Sequence, residues 1–263
     1  MSSTSNCSDV MSGEHYISKS LLAEIGATVS VGGLRWLGPD TRKDVGISSL
    51  TANILCKRHN EALSSLDAHA GMFMRVLKYI DNDLATNSTD IPHENNYLLS
   101  GEILECWMLK VLLGVHFSKN AFGPEGATID NFGLNMERVS KALYEQSWHE
   151  RCGLYIALPP GETTTSLSFE VMVLAGLSKN AVYGARIRIY GMEFYILLDD
   201  LDGNTVIPNP EMVILRPSNI THQCRLRTHR IVLTWASLNP ASARGVTFTR
   251  KSCSPAGGSS PDR

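Results

Sequence analysis

Two short stretches of this chain carry side chains able to hold a metal ion: CSDVMSGEHYISKSL, residues 7–21, and NILCKRHNEALSSLD, residues 53–67. Each sets a cysteine close to a histidine, and in the second an asparagine follows the histidine at once. A transition metal needs several nitrogen, sulfur or carboxylate donors converging on one point, and Cys56 and His59 supply two from a single turn. Further donors must come from elsewhere in the chain. The stretch from Cys7 to His15 is the richest source.

This arrangement resembles the HNH endonuclease group in its treble-clef form. There a cysteine knuckle precedes an acidic-histidine dipeptide, and a second knuckle followed by asparagine opens a helix. Glu14-His15 with the downstream YISKSL matches the dipeptide segment, Cys56, His59 and Asn60 match the second knuckle, and EALSSLDAHAG matches the helix after it. The resemblance covers about residues 5–80. It implies that His15 is a general base activating water, and that Glu14 and Asn60 hold a divalent ion such as magnesium against a scissile phosphate. An imidazole near its ordinary pKa suits the first role, and a hard carboxylate oxygen suits the second. The resemblance further implies a structural zinc on Cys7, Cys56 and His59. Its first knuckle holds one cysteine where the family has two, since Ser8, Asp9 and Val10 follow Cys7, and no fourth zinc ligand is evident.

The elements that must position these residues follow from periodicity. Residues 1–55 are turn-rich, with GATVSVGGLRWLG alternating between glycines, and small loops and hairpins are expected. Apolar residues at Leu63, Leu66, Ala70, Phe73, Leu77 and Ile80 predict an amphipathic helix over 61–80 with a break near Ser64-Ser65. The polar run from Asp81 to Asn96 reads as a connecting loop. Two further helix faces follow, one from Ile103 to Leu112 and one from Met136 to Leu143. After Cys152 the period falls to about two, and runs such as ARIRIY and EFYILLDD predict a mainly antiparallel sheet with a type II′ turn at Gly191-Met192.

Charge divides the chain at the same places. Residues 1–80 hold eight Lys and Arg against seven Asp and Glu, residues 81–150 four against eleven, and residues 151–263 twelve against eight. The net charge of −2 argues against a whole surface built for the phosphate backbone. Local binding is still open: Arg186 and Arg188 share one strand face, as do Arg225, Arg227 and His229, and adjacent strands would join them into a basic stripe. A solvated sheet face is the alternative.

Other constellations carry less. Glu102 and Glu105 read as solvated carboxylates on a helix with a strong apolar face, and Asp67 as a solvent-facing helix residue. Asp199, Asp200 and Asp202 lack the rest of a calcium loop, and neither GPEGA nor PPGETTTS ends as a phosphate loop does. The six cysteines show no disulfide spacing, so most are expected reduced, and no apolar run is long enough to span a bilayer. With no signal pattern at the start, a cytoplasmic protein is expected.

The expectation is an α+β protein: a treble-clef/ββα-like module and its following helix over 1–80, an acidic linker and helical segment over 81–150, a β-rich region over 151–252, and a disordered tail over 253–263. Its implied function is metal-dependent cleavage of nucleic acid, DNA before RNA, using His15 and Asn60. The alternative is a non-catalytic binding or assembly protein in which a zinc-knuckle remnant stabilises a surface. Catalysis requires His15 and Asn60 on one exposed concave surface beside Glu14; a structural remnant can bury them or hold them apart.

Overall fold

The computed structural model describes residues 7–32, 35, 37, 41–85, 92–121, 128–158, 169–176, 180–199, 213–236 and 244–250. The chain is α+β. It begins with strand β1 (Met11–His15), helix α1 (Lys19–Ile25), strands β2 (Thr28–Gly32), β3 (Arg42–Gly46) and β4 (Thr51–Cys56), and helices α2 (Lys57–Ala62) and α3 (Ser64–Ala85). Strands β2 and β3 form a hairpin pair, whereas β1 pairs with β4 antiparallel, Met11 opposite Cys56 and His15 opposite Thr51. The two ends of that ladder therefore carry different chemistry: Cys56 at one, His15 at the other. Helix α1 lies where loops were expected, because a seven-residue helix shows only Leu21 and Leu22 as its buried pair. The break anticipated at Ser64-Ser65 falls at Leu63, between α2 and α3.

Strand β5 (His93–Ser100) leads directly into helix α4 (Gly101–Ser118), capped by the Ser100 hydroxyl, which accepts the Ile103 N–H at 3.2 Å. From Leu104 to His116 every residue of α4 is buried. A helix apolar on all sides must be surrounded by the fold, and α4 touches α3, β4 and strands of the second half. Its Gly114 meets the backbone just after His15 so closely that a Cβ there would lie 2.6 Å from the Tyr16 carbonyl oxygen. Only glycine permits that approach.

The second half adds β6 (Gly133–Leu134), α5 (Met136–Glu145), β7 (Gly153–Ala157), β8 (Phe169–Gly176), β9 (Ala181–Ile189), β10 (Met192–Leu197), β11 (Val213–Leu215), β12 (Asn219–Cys224), β13 (Arg227–Thr234) and β14 (Gly245–Thr249). One sheet runs β11-β7-β10-β9-β6 with β8 also on β9, and all its pairs are antiparallel except β6 with β9. The second sheet, β14-β12-β13-β5, is mixed: β12 and β13 are antiparallel, but β14 and β5 join in parallel. Strand β5 comes from the segment whose start reads as a loop. Its polar HENN opening hides a strand that takes its ladder from β13 rather than from an apolar face of its own.

Several expectations change in the structure. The hairpin between β9 and β10 turns one residue earlier, at Tyr190 (φ 50°) and Gly191 (φ 76°), so it is a type I′ turn. Met192 is fully buried and pairs with Ile189, which removes it from the turn. No basic stripe forms, because Arg186 and Arg188 lie in one sheet, Arg227 and His229 in the other, and Arg225 in the β12–β13 turn. His229 is buried against Asp83 (2.9 Å) and the Tyr97 hydroxyl (3.1 Å). Glu105 is 2% exposed rather than solvated, accepting the Leu154 N–H at 2.7 Å and the Arg216 Nε at 3.0 Å. Asp199 pairs with Arg138, while residues 200–212 and the tail 253–263 lie outside the described residues. One buried apolar cluster runs from Tyr16 to Phe248, so the segments 1–80, 81–150 and 151–252 share a core. Among the described residues no helix is long and apolar enough to cross a membrane.

The second sheet also contributes a pH-dependent element. His222 stacks on Phe248 at 5.3 Å, and burial, aided by the charges of Arg250 and His229, pushes its pKa down to about 4. A histidine whose folded pKa lies below its unfolded value resists protonation in the native state. Its contribution is fully present above the unfolded pKa of about 6.5 and lost as pH falls toward 4, with a ceiling of about 3 kcal/mol. Urea unfolding at pH 7 and pH 4.5 is expected to show a smaller loss of stability in His222→Gln than in the parent protein. Equal losses would exclude His222 as a source of the dependence.

Candidate metal centre

The centre is assembled where β4 turns into α2. Cys56 ends the strand and sits at the N-cap of α2, so its sulfur faces the helix's first turn. His59, three residues on, returns over that turn and places Nδ1 3.0 Å from the Cys56 Sγ. The third residue comes from the tail before β1. Lys57 donates its N–H to the Val10 carbonyl at 2.9 Å and Arg58 donates to the Ser8 hydroxyl at 3.4 Å, which fold the tail back across α2. Cys7 Sγ then lies 3.7 Å from the same His59 Nδ1.

The candidate ligand atoms of Cys7, Cys56 and His59 all fall within 4.8 Å of one another. A tetrahedral zinc with bonds of about 2.3 Å to sulfur and 2.0 Å to nitrogen separates its ligands by roughly 3.5–4 Å, so small adjustments close the site. Two sulfurs and an imidazole make a donor set suited to zinc rather than to magnesium. The His59 backbone N–H, pointed at the Cys56 sulfur, lowers that thiol's pKa to about 6, which favours the thiolate a metal requires. Tyr144, from α5, sets its ring edge-on to His59 at 6.1 Å. Among the described residues the cluster has these three candidate ligands.

Glu14 and His15 face a different environment. Glu14 is 7% exposed and its Oε1 lies 2.9 Å from the Lys110 Nζ, itself 6% exposed on α4. The same ammonium is 2.6 Å from Asp67 Oδ2 on α3. The Ser18 hydroxyl donates to the other Asp67 oxygen and accepts from the Trp107 indole N–H at 2.7 Å. Asp67 is thus a half-buried member of an ionic network with Glu14 and Lys110 and not a solvent-facing residue. His15 and Glu14 line a pocket of about 130 Å³ with Lys110, Leu55, Leu113 and Met136. The His15 Nε2 is buried with no hydrogen-bond partner among the described residues, and burial is the main reason its pKa is lowered.

Asn60 belongs to neither group as a ligand. Its side-chain N–H donates to the Ser12 hydroxyl at 2.9 Å, near the cysteine end of β1. Among the described residues no hydrogen bond joins it to Glu14 or His15. The structure therefore gathers Cys7, Cys56 and His59, sets Glu14 and His15 together at a second place, and keeps Asn60 with Ser12. Sequence reasoning missed Lys110 as the residue that holds Glu14. Its signal was available, since a lone lysine inside the apolar WMLKVLLG must find a buried anion or leave the core. No protein-family model, curated protein or solved structure matches this chain.

Proposed function

We propose that the β1–β4–α2 unit is a zinc-stabilised module of the HNH type whose role in this chain is structural, and that the protein binds or assembles with a partner rather than cleaving nucleic acid. The observation that carries this reading is the Glu14–Lys110 pair. The carboxylate that the HNH resemblance assigns to a divalent ion is already neutralised by a buried ammonium, and Asn60 is spent on Ser12. Turning Glu14 from this pair to an ion would leave the ammonium to Asp67 alone and set a divalent charge beside it, a repulsion in a buried site. The soft donor set of Cys7, Cys56 and His59, with both cysteines outside any disulfide, supports zinc.

The second reading, magnesium-dependent cleavage of DNA before RNA, is favoured by the strand–strand–helix order and by His15 lining a pocket beside Glu14. One preparation tests both. Elemental analysis of the purified chain is expected to give about one zinc per molecule, and incubation with single- or double-stranded DNA or RNA in magnesium or manganese to leave the strands intact. Divalent-dependent cleavage that disappears in His15→Ala, with the fold retained, would overturn the structural reading in favour of the catalytic one.

A further inference from the structure

We infer that Cys7 and Cys56 form a redox-active dithiol, oxidised by peroxide to an intramolecular disulfide that dismantles the metal centre. The inference rests on the reading of this cluster as a metal site only for its consequence, ion release; the oxidation itself needs the two sulfurs alone. Both lie on one histidine nitrogen, 3.0 and 3.7 Å away, and within 4.8 Å of each other. A disulfide needs about 2.0 Å between sulfurs. The required movement falls on the short tail from Cys7 to Val10, held over α2 by the Lys57 and Arg58 backbone N–H groups, rather than on the core.

Exposure orders the steps. Cys56 is the more acidic thiol but is buried, whereas Cys7 is exposed, so access sets the order and peroxide reaches Cys7 first. The Cys7 sulfur attacks one peroxide oxygen, the O–O bond breaks, and water leaves, giving a sulfenic acid at Cys7. The Cys56 sulfur then attacks the Cys7 sulfur, the S–O bond breaks, and a second water departs with the remaining thiol proton. Two thiols are oxidised by two electrons in all, one hydrogen peroxide is reduced to two waters, and the S–S bond closes. A neighbouring resolving cysteine is what keeps such a sulfenic acid from going on to the irreversible acids. With both sulfurs consumed, His59 alone remains to hold an ion, which is too few donors for zinc.

Cys106 and Cys152 provide internal controls, being buried thiols outside any disulfide. The full chain, purified under reducing conditions, is treated with hydrogen peroxide, trapped with an alkylating agent and digested without reductant. The expected product is a peptide joining Cys7 to Cys56, reversed by dithiothreitol, and formed more than about tenfold faster than any oxidation at Cys106 or Cys152. Zinc measured before and during treatment separates the two readings: release in step with the cross-link supports both, and a cross-link in protein that never held zinc overturns the metal site alone. Zinc-loaded protein in which Cys7 passes to sulfinic acid while Cys56 stays reduced overturns the dithiol and leaves the metal site standing. Because the wild-type map decides the matter, instability of a Cys7→Ser or Cys56→Ser variant does not obscure the result.

Discussion

Replacing Lys110 with methionine is expected to destabilise the fold by about 3–5 kcal/mol, read as a fall in the urea midpoint with little change in slope. Methionine preserves most of the side-chain stem, so the loss is one of charge and not of volume. The ammonium lies between Glu14 and Asp67, at 2.9 and 2.6 Å, and its removal leaves two carboxylates facing each other in a largely dry interior. The position ties three elements: Glu14 is on β1, Asp67 on α3 and Lys110 on α4. Adding Glu14→Gln to Lys110→Met removes one of the stranded charges and is expected to recover a large part of the loss, whereas two independent sites would simply add. Additive single and double variants would show that the pair is not coupled, and the structural account of Glu14 would fail with it.

What the sequence disclosed here follows the range of the interaction involved. Local signals were readable: the apolar spacing of α3, α4 and α5, the period-two runs of β9 and β10, and the Cys56–His59 turn, all within a few residues of chain. Non-local pairing was not. Strand β5 is defined by its parallel ladder with β13, more than a hundred residues away, and its own HENN opening has no strand pattern. The same holds for the ion pairs. Glu105 seemed a solvated helix carboxylate because Arg216, which occupies it, lies 111 residues on. Asp67 seemed exposed because its partner stands on another helix. The turn at Tyr190-Gly191 slipped by one residue for a related reason: both glycine-first and glycine-second hairpins fit the sequence, and burial of Met192 decides between them.

The separation of the candidate metal centre from Glu14 and His15 gives the second large expected effect. Cys56→Ser is expected to abolish stoichiometric zinc binding, because it removes the ligand shared between strand β4 and helix α2 and leaves Cys7 and His59 without a common anchor. Zinc that binds only the folded state adds to stability in proportion to the logarithm of its excess over Kd, about 4 kcal/mol at a thousandfold excess. A strong chelator should therefore lower the Tm of the parent protein and leave that of Cys56→Ser unmoved. The loss should also be local. If zinc holds this end of the chain, amides of the β1–β4 ladder and α2 are expected to exchange faster in the variant, while α4, buried from Leu104 to His116, keeps its protection. His15→Ala offers the contrast, since it touches none of the three ligands and is expected to retain zinc and the chelator response. A parent Tm indifferent to the chelator, with β1 and α2 amides exchanging alike in parent and Cys56→Ser, would remove the metal from the account of how this end of the chain is held.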